Sequence, residues 1–243
     1  MKKLILIAGT GRSGTHLVGR TIASHDQITG RIETPETFRI ITEIATTQDY
    51  KNKYVIKYKK IKLFRLINNI IKKSHGHILE KSHPSLWLAD DFLTKYENAV
   101  IIGVWRNVEP TVNSMLVHDG VLSWYKLLPL NKVNRFLGIT KNNVNKFKEL
   151  SIEEKCALRW QSHKNELIRL KNKYPDRVLL VKYDDFLTAP QGYLSKISEF
   201  LNVTDEFKPE KFKIDSLDKW KTKLSDEQVK KIRNIIKADP ILI

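Results

Sequence analysis

Four short apolar runs punctuate this chain, and each gives way to a turn and then to a stretch of helical periodicity. KLILIA (3–8) ends in glycine, and HILEK (77–81), AVIIGVW (99–105) and RVLLVKY (177–183) repeat the signature. Continuous apolar runs of this length read as strands buried on both faces, as in parallel sheets. Their alternation with helical stretches predicts an α/β fold with a mainly parallel sheet. The first helix is expected at about Thr15 to Ser24. SIEE (Ser151–Glu154) and SDEQ (Ser225–Gln228) are capping-box patterns that open two more, the earlier of which runs to about Tyr174, where Pro175 stops it. Pro190 suits the first turn of another, which carries Leu194, Ile197, Phe200 and Leu201 at helical spacing.

Two segments read as insertions in this framework. Residues 51–75 hold eight lysines and one arginine without an acidic residue, interleaved with Ile61, Phe64, Ile67 and Ile71 at roughly helical intervals. An amphipathic helix with a solvated basic face fits that pattern, and so does a surface for an acidic glycan or a membrane. Residues 126–148, rich in lysine and asparagine with Pro129 and Gly138, read as a loop or lid.

With 243 residues, 41% of them hydrophobic, the chain suits one folded domain over residues 1–243. Lys and Arg total 43 against 27 acidic residues, and the net charge of +16 favours an anionic partner: nucleotide, nucleic acid, sulfated or phosphorylated glycan, or membrane surface. The single cysteine, Cys156, excludes an intrachain disulfide and a cysteine metal cluster; within EKCALRW it reads as a packed thiol. The N-terminal apolar run of about five residues falls short of a signal-peptide core of about 7–15, so a cytoplasmic protein is expected.

The chemistry concentrates in IAGTGRSGTHLV (7–18). A triphosphate-binding loop reads GxxxxGK[ST], with the lysine on the outer phosphates and the hydroxyl on magnesium. Gly9 and Gly14 keep that spacing, but Thr15 and His16 stand at the last two positions. A strand, glycines and a helix N-terminus still converge backbone N–H groups on an anion. Arg12, Ser13 and Thr15 add donors, and Arg12 supplies the fixed charge the lysine would have given. One compact 5′ anionic group suits this loop better than a metal-bound triphosphate.

GTGRSGTHL resembles the phosphosulfate-binding loop of sulfotransferases that use 3′-phosphoadenosine 5′-phosphosulfate, and its RSGT form is similar to the Golgi tyrosylprotein and carbohydrate branches. The resemblance implies a three-layer fold like that of P-loop NTPases, with a mainly parallel central sheet flanked by helices. It makes Gly11, Arg12, Ser13, Gly14, Thr15 and His16 donor-binding candidates, with no separate role for His16. WRNVEPTVNSM places Arg106 and Ser114 eight apart, similar to the family's 3′-phosphate site; read alone, they are a strand-end arginine and an ordinary helix serine. LEKSHP places Lys81 after a strand, resembling the tyrosylprotein branch's catalytic lysine. LLVKYDDFLTAP, with Tyr183, resembles the family's late strand, and SLDKWKTKLSDEQ resembles its nucleotide-closing segment, which adds Ser216, Lys219 and Trp220 as weaker donor contacts.

The implied reaction moves a sulfuryl group to a hydroxyl or amine, on a glycan or a small metabolite, and leaves adenosine 3′,5′-bisphosphate. Such an in-line displacement demands positioning and charge stabilisation and needs no metal. Arg12 and Lys81 would stabilise the transferring group, while amides from Ser13 to Thr15 hold the 5′ end. Three side chains compete as general base: Glu33, at the interval of the tyrosylprotein branch's glutamate; Glu36, three residues on; and His83, since KSH resembles the cytosolic branch's lysine–x–histidine. Two rival readings remain: a nucleotide kinase or NTPase, weakened by the missing loop lysine, and a basic module for nucleic acid or another anionic polymer, supported by the charge.

Overall fold

β1 (Leu4–Gly9) lies at the centre of a five-stranded sheet, between β3 (His77–Lys81) and β4 (Ala99–Trp105). The structure is a computed structural model that describes residues 2–204, 206–208, 212 and 214–238. β2 (Ile28–Ile32) adds to the outer side of β3 and β5 (Val178–Lys182) to that of β4, giving the order β2-β3-β1-β4-β5 with every pair parallel. The fold is therefore α/β, a mainly parallel sheet flanked by helices. Four strands lie where the apolar runs put them. The fifth, β2, carries exposed Thr29 and Gly30 in the middle of ITGRI, so its composition gives no strand signal.

Strand side chains alternate between two cores, as the pleat requires. Leu4, Leu6 and Ala8 of β1 join Ile78, Ala99 and Ile101 on one face; Ile5 and Ile7 join Leu79, Val100 and Ile102 on the other. The second face is covered by α1 (Thr15–Ala23), α8 (Tyr183–Thr188) and α9 (Pro190–Leu201), through Val18, Ile22, Phe186, Leu194 and Ile197. The first is covered by α2 (Pro35–Thr47), α3 (Lys53–Lys73), α4 (Ala89–Lys95), α5 (Val108–Leu116), α6 (Asp119–Leu127), α7 (Ile152–Lys173) and α10 (Asp226–Ala238). The Ser151–Glu154 capping box forms in full at the start of α7, and Ser225 and Gln228 bond reciprocally before α10.

The basic stretch at 51–75 is the helix α3, but its buried stripe is Ile56, Leu63 and Ile67, while Ile61 points to solvent. Lys59 and Lys60 pair with Glu43 and Asp91, and Tyr54 and Tyr58 are exposed. Residues 126–148 are irregular, as read from the sequence, but they are held down and do not form a free lid. Phe136, Leu137, Ile139 and Phe147 are fully buried, Asn134 donates to the Thr46 carbonyl at 3.0 Å, and Arg135 pairs with Asp49 at 2.9 Å.

Truncating a buried aromatic removes its transfer energy and leaves a cavity, at a cost of about 3–5 kcal/mol. Phe136→Ala is expected to lower unfolding stability by about that amount in urea titrations. A loss below about 1 kcal/mol, the level of ordinary surface changes, would mean that this segment is not part of the core.

Candidate active site

Parallel pairing brings the carboxyl ends of all five strands to one edge. Lys81 ends β3 opposite Ile7 and Ile32, and Gly9 ends β1 opposite Val104, so the residues that follow β1, β2, β4 and β5 emerge beside Lys81. Those residues are the 10–14 loop, Glu33, Arg106 and Tyr183. The chain winds from β1 outward to β2 on one side and to β5 on the other, and ligands of such sheets gather where the direction reverses.

Two adjoining cavities open there. The larger, about 480 Å³, is lined by Arg12, Gly14, Thr15, His16, Leu17, Arg20, Arg106, Ser114, Tyr183 and Ser216. The second, about 250 Å³, is lined by Gly11, Arg12, Thr15, His16, Glu33, Phe38, Lys81, His83, His118, Gly120, Val121 and Trp124. Arg12, Thr15 and His16 belong to both.

In the first cavity Arg12 Nε donates to Ser114 Oγ at 3.1 Å. Arg106, almost fully buried, donates to the Ser216 carbonyl at 2.7 Å, sits 5.2 Å from the Tyr183 ring centre and lies 3.5 Å from Asp184. Burial lowers the Arg12 pKa; Glu33 opposes that shift and the like charge of Arg106 adds to it. Two guanidinium groups facing one cleft in this way are chemically suited to hold an anion. Gly14, at φ 87°, caps α1 in a left-handed conformation, and a Cβ there would fall 1.9 Å from the Tyr183 ring. The loop and the start of α8 interlock only because that position is glycine.

A cluster around Glu33 dominates the second cavity. Its backbone sits at φ 47° and its N–H donates to the Lys81 carbonyl at 2.8 Å. Lys81, whose side chain is wholly buried, reaches Glu33 Oε1 at 2.5 Å and donates to His16 Nδ1 at 2.8 Å. His16 Nε2 faces Glu33 Oε2 at 3.4 Å, and His83 Nδ1 faces Glu33 Oε1 at 3.2 Å. Burial alone would push the Glu33 carboxyl up, but bonds from His16 and His83 and the Lys81 ammonium outweigh it and hold the group well below the usual carboxylate range. Burial lowers Lys81 to about 8 and His83 to about 4, in each case against the pull of Glu33. At neutral pH Glu33 is an ionised carboxylate, Lys81 an ammonium and His83 a neutral imidazole.

Of the other candidates from the sequence, Ser13 stays within the loop but lines neither cavity, and Glu36, Lys219 and Trp220 lie apart. The Glu36 side chain is 73% exposed, faces Arg31 at 3.8 Å and lines neither cavity. Ser13 is buried, its N–H closing the loop on the Thr10 carbonyl at 3.2 Å and its hydroxyl without a partner among the described residues. Lys219 borders a separate cavity beside α5 and α10, and Trp220 packs against the first core. Phe38 on α2, and His118, Val121 and Trp124 at the start of and within α6, went unnoticed in the sequence because neither stretch carries a motif. His16 gained no role there because its partners are 17 and 65 residues away.

A family sequence profile described as Sulfotransferase family matches residues 5–207. The chain belongs to the sulfotransferase family. Among curated protein sequences none matches at a significant level. Solved structures of sulfotransferases share the fold at low identity. The sulfotransferase domain from the curacin biosynthetic pathway has a TM-score of 0.60 at 13% identity, covering 100% of this chain and 99% of that one. A sulfotransferase from Alicyclobacillus acidocaldarius gives 0.61 at 13%, over 98% and 93%. Mouse sulfotransferase SULT7A1, in complex with PAP, gives 0.53 at 15%, over 99% and 85%. This sulfotransferase is thus an enzyme of sulfuryl transfer, with its candidate machinery at the carboxyl edge of the sheet.

The depressed His83 pKa has a signed effect on folding. Between about 6.5 and about 4 the unfolded chain binds a proton that the folded chain refuses, so stability falls as pH drops through that window. Glu33 adds a loss of the same sign below about 4.5. Buried Glu80, raised to about 7, acts in the opposite sense and does so in wild type and variant alike, so the test is the difference: from pH 7 to pH 4 the thermal midpoint of His83→Asn should lose less than that of wild type. Equal slopes would mean that His83 titrates as it does in the unfolded chain.

Proposed function

We propose that the donor is 3′-phosphoadenosine 5′-phosphosulfate, held in the larger cavity, and that the acceptor hydroxyl or amine enters the smaller one. The observation that carries this reading is the shared wall: Arg12, Thr15 and His16 face both cavities, as a transfer between two bound molecules requires. The orphaned Ser13 hydroxyl and the paired cations Arg12 and Arg106 favour an anionic nucleotide. In this reading Arg106 and Ser114 hold the 3′-phosphate, and Gly11 to His16, Tyr183 and Ser216 surround the 5′ end. The occurrence of PAP in the mouse relative supports the same donor.

When bound, that donor supplies the sulfuryl group, whose bond to the phosphate oxygen breaks as the acceptor oxygen bonds to sulfur. Arg12 and Lys81 then stabilise negative charge on the moving oxygens and on the phosphate that departs. His83 takes the acceptor proton in this reading. Its Nδ1 faces Glu33, which fixes the tautomer with the Nε2 lone pair free, and Nε2 is buried without a partner among the described residues. Glu33, already bound by three cations or N–H donors, orients His83 and anchors Lys81. The acceptor is a glycan or a small metabolite, and the exposed face of α3 offers the chain's basic, tyrosine-bearing surface to acidic partners or membrane. A cytoplasmic setting fits this donor, and no described helix is long and apolar enough to cross a membrane.

Transfer of radiolabelled sulfur from the donor to fractionated extract tests the activity and isolates the acceptor. Lys81→Met and His83→Asn should each lower kcat by about 10²–10⁴-fold, the worth of a positioned acid–base group. Arg106→Ala should chiefly weaken binding of adenosine 3′,5′-bisphosphate in calorimetry. Tight binding of ATP with magnesium but not of the bisphosphate would overturn the reading in favour of a kinase, and His83→Asn with unchanged kcat would remove His83 as base.

A further inference from the structure

Glu80, the residue before Lys81, is fully buried, and the proposed reaction gives it no part. Strand side chains alternate, so Lys81 turns toward α1, where it meets Gly19, while Glu80 turns to the opposite face and meets Thr37 of α2. Two hydroxyls end on one of its oxygens: Thr37 donates to Glu80 Oε1 at 3.0 Å and Ser82 at 2.7 Å. Arg31, its register partner on β2, brings Nε to 3.8 Å from Oε2.

These bonds form a chain with one direction. The Arg31 guanidinium donates to Thr34 Oγ1 at 3.1 Å, and the Thr34 and Thr37 hydroxyls lie 2.8 Å apart. With the Thr37 proton on Glu80, the Thr34 hydroxyl is the donor of that pair. Every donor therefore points along Arg31, Thr34 and Thr37 toward Glu80, and only an acceptor can end the chain.

The chain brackets Glu33. Arg31 stands two residues before it and Thr34 directly after, and Glu33 itself is held at φ 47°. A left-handed backbone at a residue other than glycine is strained and persists where its surroundings fix it. Ser82 extends the hold to β3, since it lies between Lys81 and His83. Stability does not account for the carboxyl: burial raises it to about 7 against the bonds from Ser82 and Thr37, so the fold loses stability as pH rises from about 4.5 to about 7.

We propose that Glu80 is a positioning residue, which ends this chain of bonds and thereby holds Glu33, Lys81 and His83 in the arrangement that transfer uses. The proposal rests on reading those three side chains as the reacting machinery. It gives Glu80 no contact with donor or acceptor, in keeping with a side chain that lines neither cavity.

The test compares Glu80→Gln, Glu80→Met and Thr37→Val with wild type. Glu80→Met should lower kcat per folded molecule by about 10–100-fold, the scale of a small misplacement of reacting groups, with the KM for the donor little changed. Glu80→Gln should retain most of kcat, because its amide oxygen can still end the chain. Thr37→Val cuts the same chain one bond earlier, so it should lower kcat in the same direction and add little to Glu80→Met. A second readout needs no substrate: nitrogen NMR should find His83 protonated on Nδ1 in wild type and in Glu80→Gln, and a mixture of tautomers in Glu80→Met. Unchanged kcat and tautomer in Glu80→Met, or equal impairment of Glu80→Gln and Glu80→Met, would overturn the positioning role and leave sulfuryl transfer standing. If Glu80→Met does not fold, unchanged kcat and tautomer in Thr37→Val would overturn it instead. If wild type transfers nothing from the phosphosulfate donor, that reading falls, and the tautomer comparison alone upholds or removes the role of Glu80.

Discussion

Parallel hydrogen bonding obliges every strand of this sheet to end on the same side, and the site is built on that constraint. Lys81 is the last residue of β3, and its register with Ile7 and Ile32 fixes where the 10–14 loop and Glu33 begin. Arg106 and Tyr183 follow β4 and β5 in the same way. The tight pairing of β1 with β4 leaves no room at Gly9, whose Cβ would meet the Val104 carbonyl at 2.1 Å. Sheet geometry, not any single motif, gathers five separated stretches of sequence into one pair of cavities.

The charges gathered there are undercompensated on one side and over-tied on the other. Among the described residues Arg12 and Arg106 bond or pair with Ser114, Ser216 and Asp184 at the larger cavity, which leaves both guanidinium groups suited to an anionic ligand. Lys81 and Glu33 neutralise each other out of water, and the histidines on either side spread that interaction across the junction. Charges fixed in place before a reaction need little reorganisation during it, and in the proposed reading that is what this cluster offers.

Much of this was legible in the sequence because it is written in local signals. Continuous apolar runs marked β1, β3, β4 and β5, and glycine spacing marked the loop. What escaped has a physical reason in each case. β2 is a half-exposed edge strand, so ITGRI lacks the apolar run. The buried stripe of α3 is offset from Ile61 because tertiary packing against α2, not the helix's own periodicity, selects the inner face. Glu36 shares the local sequence of Glu33, but the turn at Glu33 sends the two carboxylates in different directions. Glu80 did leave a trace, an acidic residue inside the run HILEK, but its partner Thr37, 43 residues away, meets it only in the fold.

The wall common to both cavities limits how such an enzyme diversifies. Thr15, Arg12 and His16 line both cavities, so in the proposed reading a substitution there that reshapes acceptor choice also disturbs the nucleotide. Phe38, Val121 and Trp124 stand on one side alone. In that reading a change of acceptor is open along α2 and α6, while the loop between β1 and α1 is tied to the donor.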